Sequence, residues 1–292
     1  MYTVHVPTIN DTDDDFDKLF NLCKQLNVED SAVEIDFSQC GFLRQNAVAF
    51  IGGLIRLLEH RHSNVRIKWE SMQPQVLANL DKNGFREAFG HTHGPLPGNA
   101  VPYREDQTGL VDKNGIIDYL SSKWLGRGWI HISSQLRDAI VGKMWEIYAN
   151  AFEHSNSPIG LFSCGQFFPR IHAVNLTVVD FGVGIPSNVR QFANNYSLGA
   201  HTAMQWAFKP GTTTKPSGMG RGVGLDLIKQ FIALNKGKLE VFSHEGHAII
   251  DPSGERYFNR SCFFEGTLVN INLKCDESYY CLSSEIPTGP LF

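Results

Sequence analysis

Apolar and polar positions recur at two periods along this chain, and the switches between them divide it. Ala32-Val-Glu-Ile-Asp-Phe37 alternates and is rich in β-formers, which predicts a strand. Residues 46–59 carry Val48, Ile51, Leu54, Ile55 and Leu58 at helical spacing and predict an amphipathic helix. Val65 to Trp69 alternates again. Pro74 opens a helix through Asn79 or beyond, and Asn83-Gly84 stops it. Strands alternating with helices over residues 1–90 predict a small α/β domain.

Residues 91–128 read as a connector. His91-Thr-His-Gly-Pro-Leu-Pro-Gly98 is turn-rich, and a short helix is expected around Ile116 to Lys123. The segment is long for a simple loop, so order against a neighbouring domain is expected.

Beyond Gly128 the pattern lengthens. Ser133 or Ser134 suits the N-cap of a long helix through Glu153, with Leu136, Ile140, Met144, Ile147 and Ala151 as its apolar stripe. Residues 160–168 and 172–180 predict two strands joined at Pro169-Arg170. Residues 222–235 predict a helix closed by Gly237, and 238–242 and 267–273 predict two more strands. The fold class is therefore α/β, with a second domain over 129–276 and an unassigned C-terminal tail at 277–292.

Composition narrows the classes. A chain of 292 residues holds one large domain or two ordinary ones, and 42% apolar residues suffice for a proper core. A net charge of −4 without a Lys/Arg run gives no general attraction to nucleic acid or acidic lipid. Six scattered cysteines with no C-x-x-C pair fit reduced thiols. The acidic start (Asp11, Asp13, Asp14, Asp15) lacks the features of a signal peptide, and no apolar run approaches the ~20 residues of a membrane span. A cytoplasmic address follows as the expectation.

Three polar features carry candidate chemistry. Glu146, Asn150 and His154 are four residues apart and share a helix face distinct from the apolar stripe. An Asn oxygen suits Mg²⁺, and a Glu one turn earlier suits proton abstraction from water; a solvated face is the alternative. Asp180 ends an apolar strand just before Gly182 and Gly184, where a carboxylate can accept from an exocyclic amine and the glycines permit close backbone approach. An ordinary strand exit is the alternative there. The Asp-Phe-Gly likeness to protein kinases fails because no H-R-D loop precedes it. Gly218, Gly220, Gly222 and Gly224, with Val223 and Leu225, open a helix whose amides suit phosphate. The spacing matches neither a P-loop nor a dinucleotide-binding turn. The Gly-, Pro- and Thr-rich run at 209–217 ends a stretch expected to be a mobile loop, a lid over 186–217.

Taken in order, these features resemble the GHKL superfamily of gyrase, heat-shock chaperone, histidine kinase and MutL, over roughly residues 130–275. The resemblance implies a two-layer α/β sandwich of the Bergerat type that binds ATP with Mg²⁺. Asn150 would hold the metal and Glu146 would activate water, with His154 on the same face. Asp180 would read the adenine amine beside Gly182 and Gly184. Gly218, Gly220, Gly222, Val223, Gly224 and Leu225 would close over the phosphates, and Gly266-Thr267 would flank Asp180. Residues 1–90 resemble a smaller STAS domain through Val33 to Leu43, the helix after it, and Pro74 to Phe89. Where a signalling STAS domain carries a phosphorylatable Ser or Thr, this chain has Arg44-Gln45-Asn46-Ala47, which argues for an interaction or dimerisation module.

The implied function is slow ATP hydrolysis, with lid closure gating contact with a partner protein in a regulatory, stress or defence pathway. An anti-sigma-type protein serine kinase, an ATP sensor and a scaffold remain as alternatives. ATP is the expected ligand. The partner protein and any homo-oligomer stay open. The pairs His60/His62 and His91/His93 lack further ligands at metal spacing, and Trp124, Trp129 and Trp145 are expected to pack.

Overall fold

The computed structural model describes residues 1–26, 32–61, 64–92, 98–212 and 226–286. The first elements are β1 (Tyr2–His5), α1 (Asp13–Gln25), β2 (Ala32–Asp36), α2 (Gln45–Arg61) and β3 (Asn64–Lys68). The strands form a parallel sheet in the order β1-β2-β3, with Val4 beside Ile35 and Ile35 beside Ile67. Parallel neighbours need crossovers, which α1 and α2 supply. The start of α1 is fixed by a Thr12/Asp15 capping box and three aspartates in its first turn, favourable against the helix dipole. Next come α3 (Pro74–Lys82) and α4 (Phe85–Ala88). Gly84 between them adopts φ 78°, a left-handed turn that glycine takes without strain.

The segment expected as a connector contributes a strand. β4 (Ala100–Asp106) joins the main sheet at its edge, where Pro102 costs no ladder hydrogen bond that must be made. α5 (Lys113–Asp118) continues into a wide helical turn at residues 119–124. Then follow β5 (His131–Ile132), α6 (Ser134–His154), β6 (Leu161–Phe168), β7 (Ala173–Asp180), α7 (Gly184–Phe192), α8 (Ala200–Ala207), α9 (Asp226–Asn235), β8 (Lys238–Asp251), β9 (Gly254–Lys274) and β10 (Tyr279–Tyr280). The main sheet is antiparallel throughout, in the order β4-β6-β7-β9-β8.

Two sequence expectations change here. Residues 186–207 are mostly α7 and α8 rather than loop, and Ala203 and Met204 are buried. The strands expected at 238–242 and 267–273 are only the base of a long β8–β9 hairpin, whose register shifts near Ser243 to Gly246. Its outer arm lies on α1, where Arg260 Nη2 pairs with Asp17 Oδ1 at 2.9 Å. The tail is also partly ordered: Tyr279 and Tyr280 pair in parallel with His131 and Ile132.

Alternation along β7 assigns its side chains to two layers. Val174, Leu176 and Val178 face α6 and α9, in a core with Leu136, Ile140, Met144, Ile228 and Ile232. Val179 and Phe181 face the other way, in a core with Phe16, Phe20 and Phe50 of α1 and α2 and Phe242, Phe264 and Leu268 of the hairpin. Both faces of the main sheet are thus covered by helices, and residues 1–90 share one continuous core with it. Phe20 and Phe264 stack with centroids 5.1 Å apart, and Phe16 and Phe242 at 4.3 Å. Each buried ring contributes roughly 1.5–3 kcal/mol.

One end of that junction is polar. Asn46, Asn175 and Asn270 all donate side-chain N–H groups to the Asp11 carboxylate, at 3.2, 3.0 and 3.1 Å. Gln45 reaches Asn270 at 3.4 Å. The start of α2 is therefore plugged into the main sheet, and the side chains of Gln45 and Asn46 are spent on that contact. Burial pushes the Asp11 carboxyl up to about 6, with Glu240 adding to the effect and Arg44 opposing it. Among the cysteines, Cys40, Cys164 and Cys275 are buried, while Cys23, Cys262 and Cys281 are half-buried.

Candidate functional site

The helix that carries Glu146, Asn150 and His154 is held at both ends. Ser133 Oγ accepts from the Leu136 amide at 3.1 Å and donates to Glu285 Oε2 at 2.6 Å, while the Ser133 amide donates to the Tyr280 carbonyl at 2.8 Å. The C-terminal strap thereby fastens the helix start. Glu146, Asn150 and His154 are half-buried along one face, and the Lys143 ammonium lies 2.7 Å from Glu146 Oε1. Tyr148, on the core side, shares a 2.7 Å hydrogen bond with Ser163 of β6.

At the end of β7, Asp180 continues the alternation of Leu176 and Val178 and so faces the α6 layer. It is 3% exposed. Burial raises its carboxyl to about 7, against the Gly182 amide and the Thr267 amide and hydroxyl, which favour the anion. The Gly182 amide donates to Asp180 Oδ1 at 2.9 Å. Thr267 is the cross-strand partner of Asp180 on β9. A Cβ at Gly182 would overlap the Ser155 carbonyl, and one at Gly266 would overlap the Asp180 carbonyl. Gly184 combines φ 73° with close approach to the Glu265 carbonyl. The glycines flanking Asp180 are required by contact as well as by turn geometry.

The turn after β7 is tied to the end of α6. The Val183 amide donates to the Ser155 carbonyl at 2.6 Å, and Asn188 Nδ2 donates to the His154 carbonyl at 3.0 Å. At 1.5 Å per residue, Asn150 lies about 7.5 Å and Glu146 about 13.5 Å along the helix axis from Ser155. The end of α6 at His154 and Ser155 therefore lies against the turn that carries Gly182 and Gly184, next to Asp180 and its strand partner Thr267. Gly218, Gly220, Gly222, Val223, Gly224 and Leu225 lie outside the described residues.

Sequence reading missed the second ring of supports. Ser243 Oγ donates to the Gly266 carbonyl and accepts from the Ile185 amide, both at 2.9 Å. His244 Nε2 sits 2.8 Å from the Val183 carbonyl. These residues lie where the β8–β9 register slips, and no periodicity marks such a slip in advance.

A separate cluster of Asp13, Glu240 and His247 has the residue types of a metal site. Cations of the protein already serve it. Lys238 Nζ lies 2.6 Å from Glu240 Oε1 and Arg260 Nη1 lies 3.3 Å from His247 Nδ1.

Residues 137–274 match the family model described as histidine kinase-, DNA gyrase B-, and HSP90-like ATPase. The match supports a GHKL ATPase domain over those residues, laid out as the α/β sandwich described above. The matched segment starts in the first turn of α6 and ends with β9. Among solved structures, the chain is similar to the B-subunit of the DNA gyrase from Myxococcus xanthus, at 12% identity and a TM-score of 0.25. That similarity covers 56% of this chain and 44% of the gyrase chain, so this protein spans less than half of its length. No curated protein matches the chain. No helix among the described residues is long and apolar enough to cross a membrane.

Proposed function

We propose that residues 137–274 bind Mg-ATP at the end of β7 and hydrolyse it slowly, and that the bound state is read by a partner protein. The observation that carries this reading is the acceptor left at Asp180. A carboxylate offers about four lone-pair sites, and three are met by Gly182 and Thr267. A buried carboxylate with one site to spare, beside a close glycine turn, suits the exocyclic amine of adenine.

The remaining donors fit the same ligand. The Asn150 amide oxygen and the Glu146 carboxylate are hard oxygens of the kind Mg²⁺ takes, and the ion would neutralise phosphate charge when bound. Asn150 holds the metal in this reading, Glu146 orients and deprotonates water, and His154 lines the entrance. Gly218 to Leu225 close over the phosphates.

A second reading is favoured by the Lys143–Glu146 ion pair. Glu146 must give up that contact before it can serve a water molecule, which suits a sensor that binds without turnover. Comparing phosphate release by the wild type and Glu146→Ala, with Mg-ATP binding measured in both, decides the matter. Release that disappears in Glu146→Ala while binding persists supports hydrolysis. Equal, near-zero release with intact binding leaves the sensor, and label transferred to a partner protein leaves the kinase. Absence of Mg-ATP binding to the wild type removes the proposal.

A further inference from the structure

The turn after β7 sends consecutive side chains into opposite layers. Asp180 faces α6. Phe181 enters the other core, with ring centroids 5.2 Å from Phe50, 5.4 Å from Phe264 and 6.2 Å from Phe162. Directly against it on α2 stands Gly53. A Cβ at Gly53 would overlap the Phe181 ring and lie 2.6 Å from Phe162. Glycine is disfavoured inside a helix relative to alanine, so its presence here marks a close approach rather than a local preference. The adjacent Gly52 makes room in the same way for Tyr103 of β4, at the sheet edge away from Asp180.

Asp180 is therefore located by two clamps. On one side the Val183 amide is bonded to Ser155 at the end of α6. On the other side Phe181 is wedged between α2 and the sheet. A shift of α2 toward or away from the sheet must move Phe181, and the Asp180 backbone moves with it.

We propose that α2 sets the position of Asp180 through the Gly53–Phe181 contact, coupling residues 1–90 to the nucleotide site. The coupling rests on the Mg-ATP reading above for its ligand, but its geometry does not. Gly53 and Phe181 are positioning residues, since neither touches the nucleotide. Coupling between two sites is reciprocal, so Mg-ATP also fixes α2. A partner that grips the N-terminal unit would thus sense the nucleotide without contacting it.

The test compares two substitutions of equal bulk in the full chain, Gly53→Ala and Gly52→Ala. Hydrogen exchange at the Gly182 and Val183 amides is measured without nucleotide, and the Mg-ATP dissociation constant is measured alongside. The inference expects Gly53→Ala to speed exchange at those amides about tenfold over Gly52→Ala. It also expects about fivefold or more loss of Mg-ATP affinity in Gly53→Ala alone. The double variant Gly53→Ala/Phe181→Leu, which trims the ring that is struck, recovers most of both. If Gly53→Ala is too unstable to purify, Phe181→Leu alone carries the comparison, because it loosens the wedge without overpacking.

Exchange in Gly53→Ala that matches Gly52→Ala overturns the coupling, whether or not ATP binds. Exchange that changes in a protein with no affinity for Mg-ATP upholds the α2 clamp and sinks the nucleotide reading instead.

Discussion

The Gly182 amide donates to Asp180 Oδ1 at 2.9 Å, and this bond is part of a buried acceptor that is expensive to keep charged. In the folded chain the Asp180 carboxyl titrates near 7 rather than 3.8. The folded state then holds more protons than the unfolded state between those values. Its contribution to stability is present at low pH and is lost as pH rises toward 7. Asp180→Asn removes the buried charge and keeps an acceptor for Gly182. We expect it to raise the melting temperature most at pH 8, less at pH 5, and little at pH 4. The Asn amide group would confront the Thr267 donors and the adenine amine, so Mg-ATP affinity falls by about tenfold or more. Differential scanning fluorimetry at the three pH values, with calorimetric titration, checks both halves.

Nucleotide binding should itself depend on pH. A donor from adenine favours the ionised carboxylate, so binding below neutrality expels a proton from Asp180. Affinity is expected to fall as pH drops below about 7, approaching tenfold per pH unit. Titrations in two buffers of different ionisation enthalpy should show proton release at pH 6 and almost none at pH 8. Asp180→Asn should abolish that difference.

Gly184→Ala tests the turn without removing a functional group. The added methyl meets both a left-handed backbone and the Glu265 carbonyl. The combined cost is roughly 2–4 kcal/mol. Urea unfolding should show it, and Mg-ATP affinity should drop with it, because Ile185 would lose its register with Ser243.

Asp11→Ala tests the polar end of the junction. It leaves the Asn46, Asn175 and Asn270 amides without their acceptor, at roughly 2–4 kcal/mol in total at pH 7. The urea midpoint should fall accordingly. An unchanged midpoint would mean that water replaces the carboxylate freely.

Apolar patterning made α2, α6, β6 and β7 legible in the sequence, and Ser133 caps α6 as its residue type suggests, although α2 and β7 are buried nearly all round rather than along one stripe. The Thr12/Asp15 box ahead of Phe16, Leu19 and Phe20 was an available signal for α1 that an acidic run obscured. β4 hid behind Pro102, and α7 and α8 hid in a stretch judged by the Gly, Pro and Thr residues at its end. The strand end at Asp180 and the close turn at Gly182 were legible because both are local to one element. The supports from Ser243 and His244 were not, because they depend on a slip in strand pairing. Nor could spacing alone reveal that Phe181 packs against α2, in the layer opposite Asp180.

The covering of both sheet faces has a practical consequence. Cutting the chain near residue 90 would strip a wall of Phe162, Phe181, Phe242, Phe264 and Leu268 bare to water. Such a fragment would be sticky, and its inactivity would say nothing about the intact molecule. The C-terminal half travels with its N-terminal companion on one chassis, and a protease that severed them would lay the shared wall open on both sides at once.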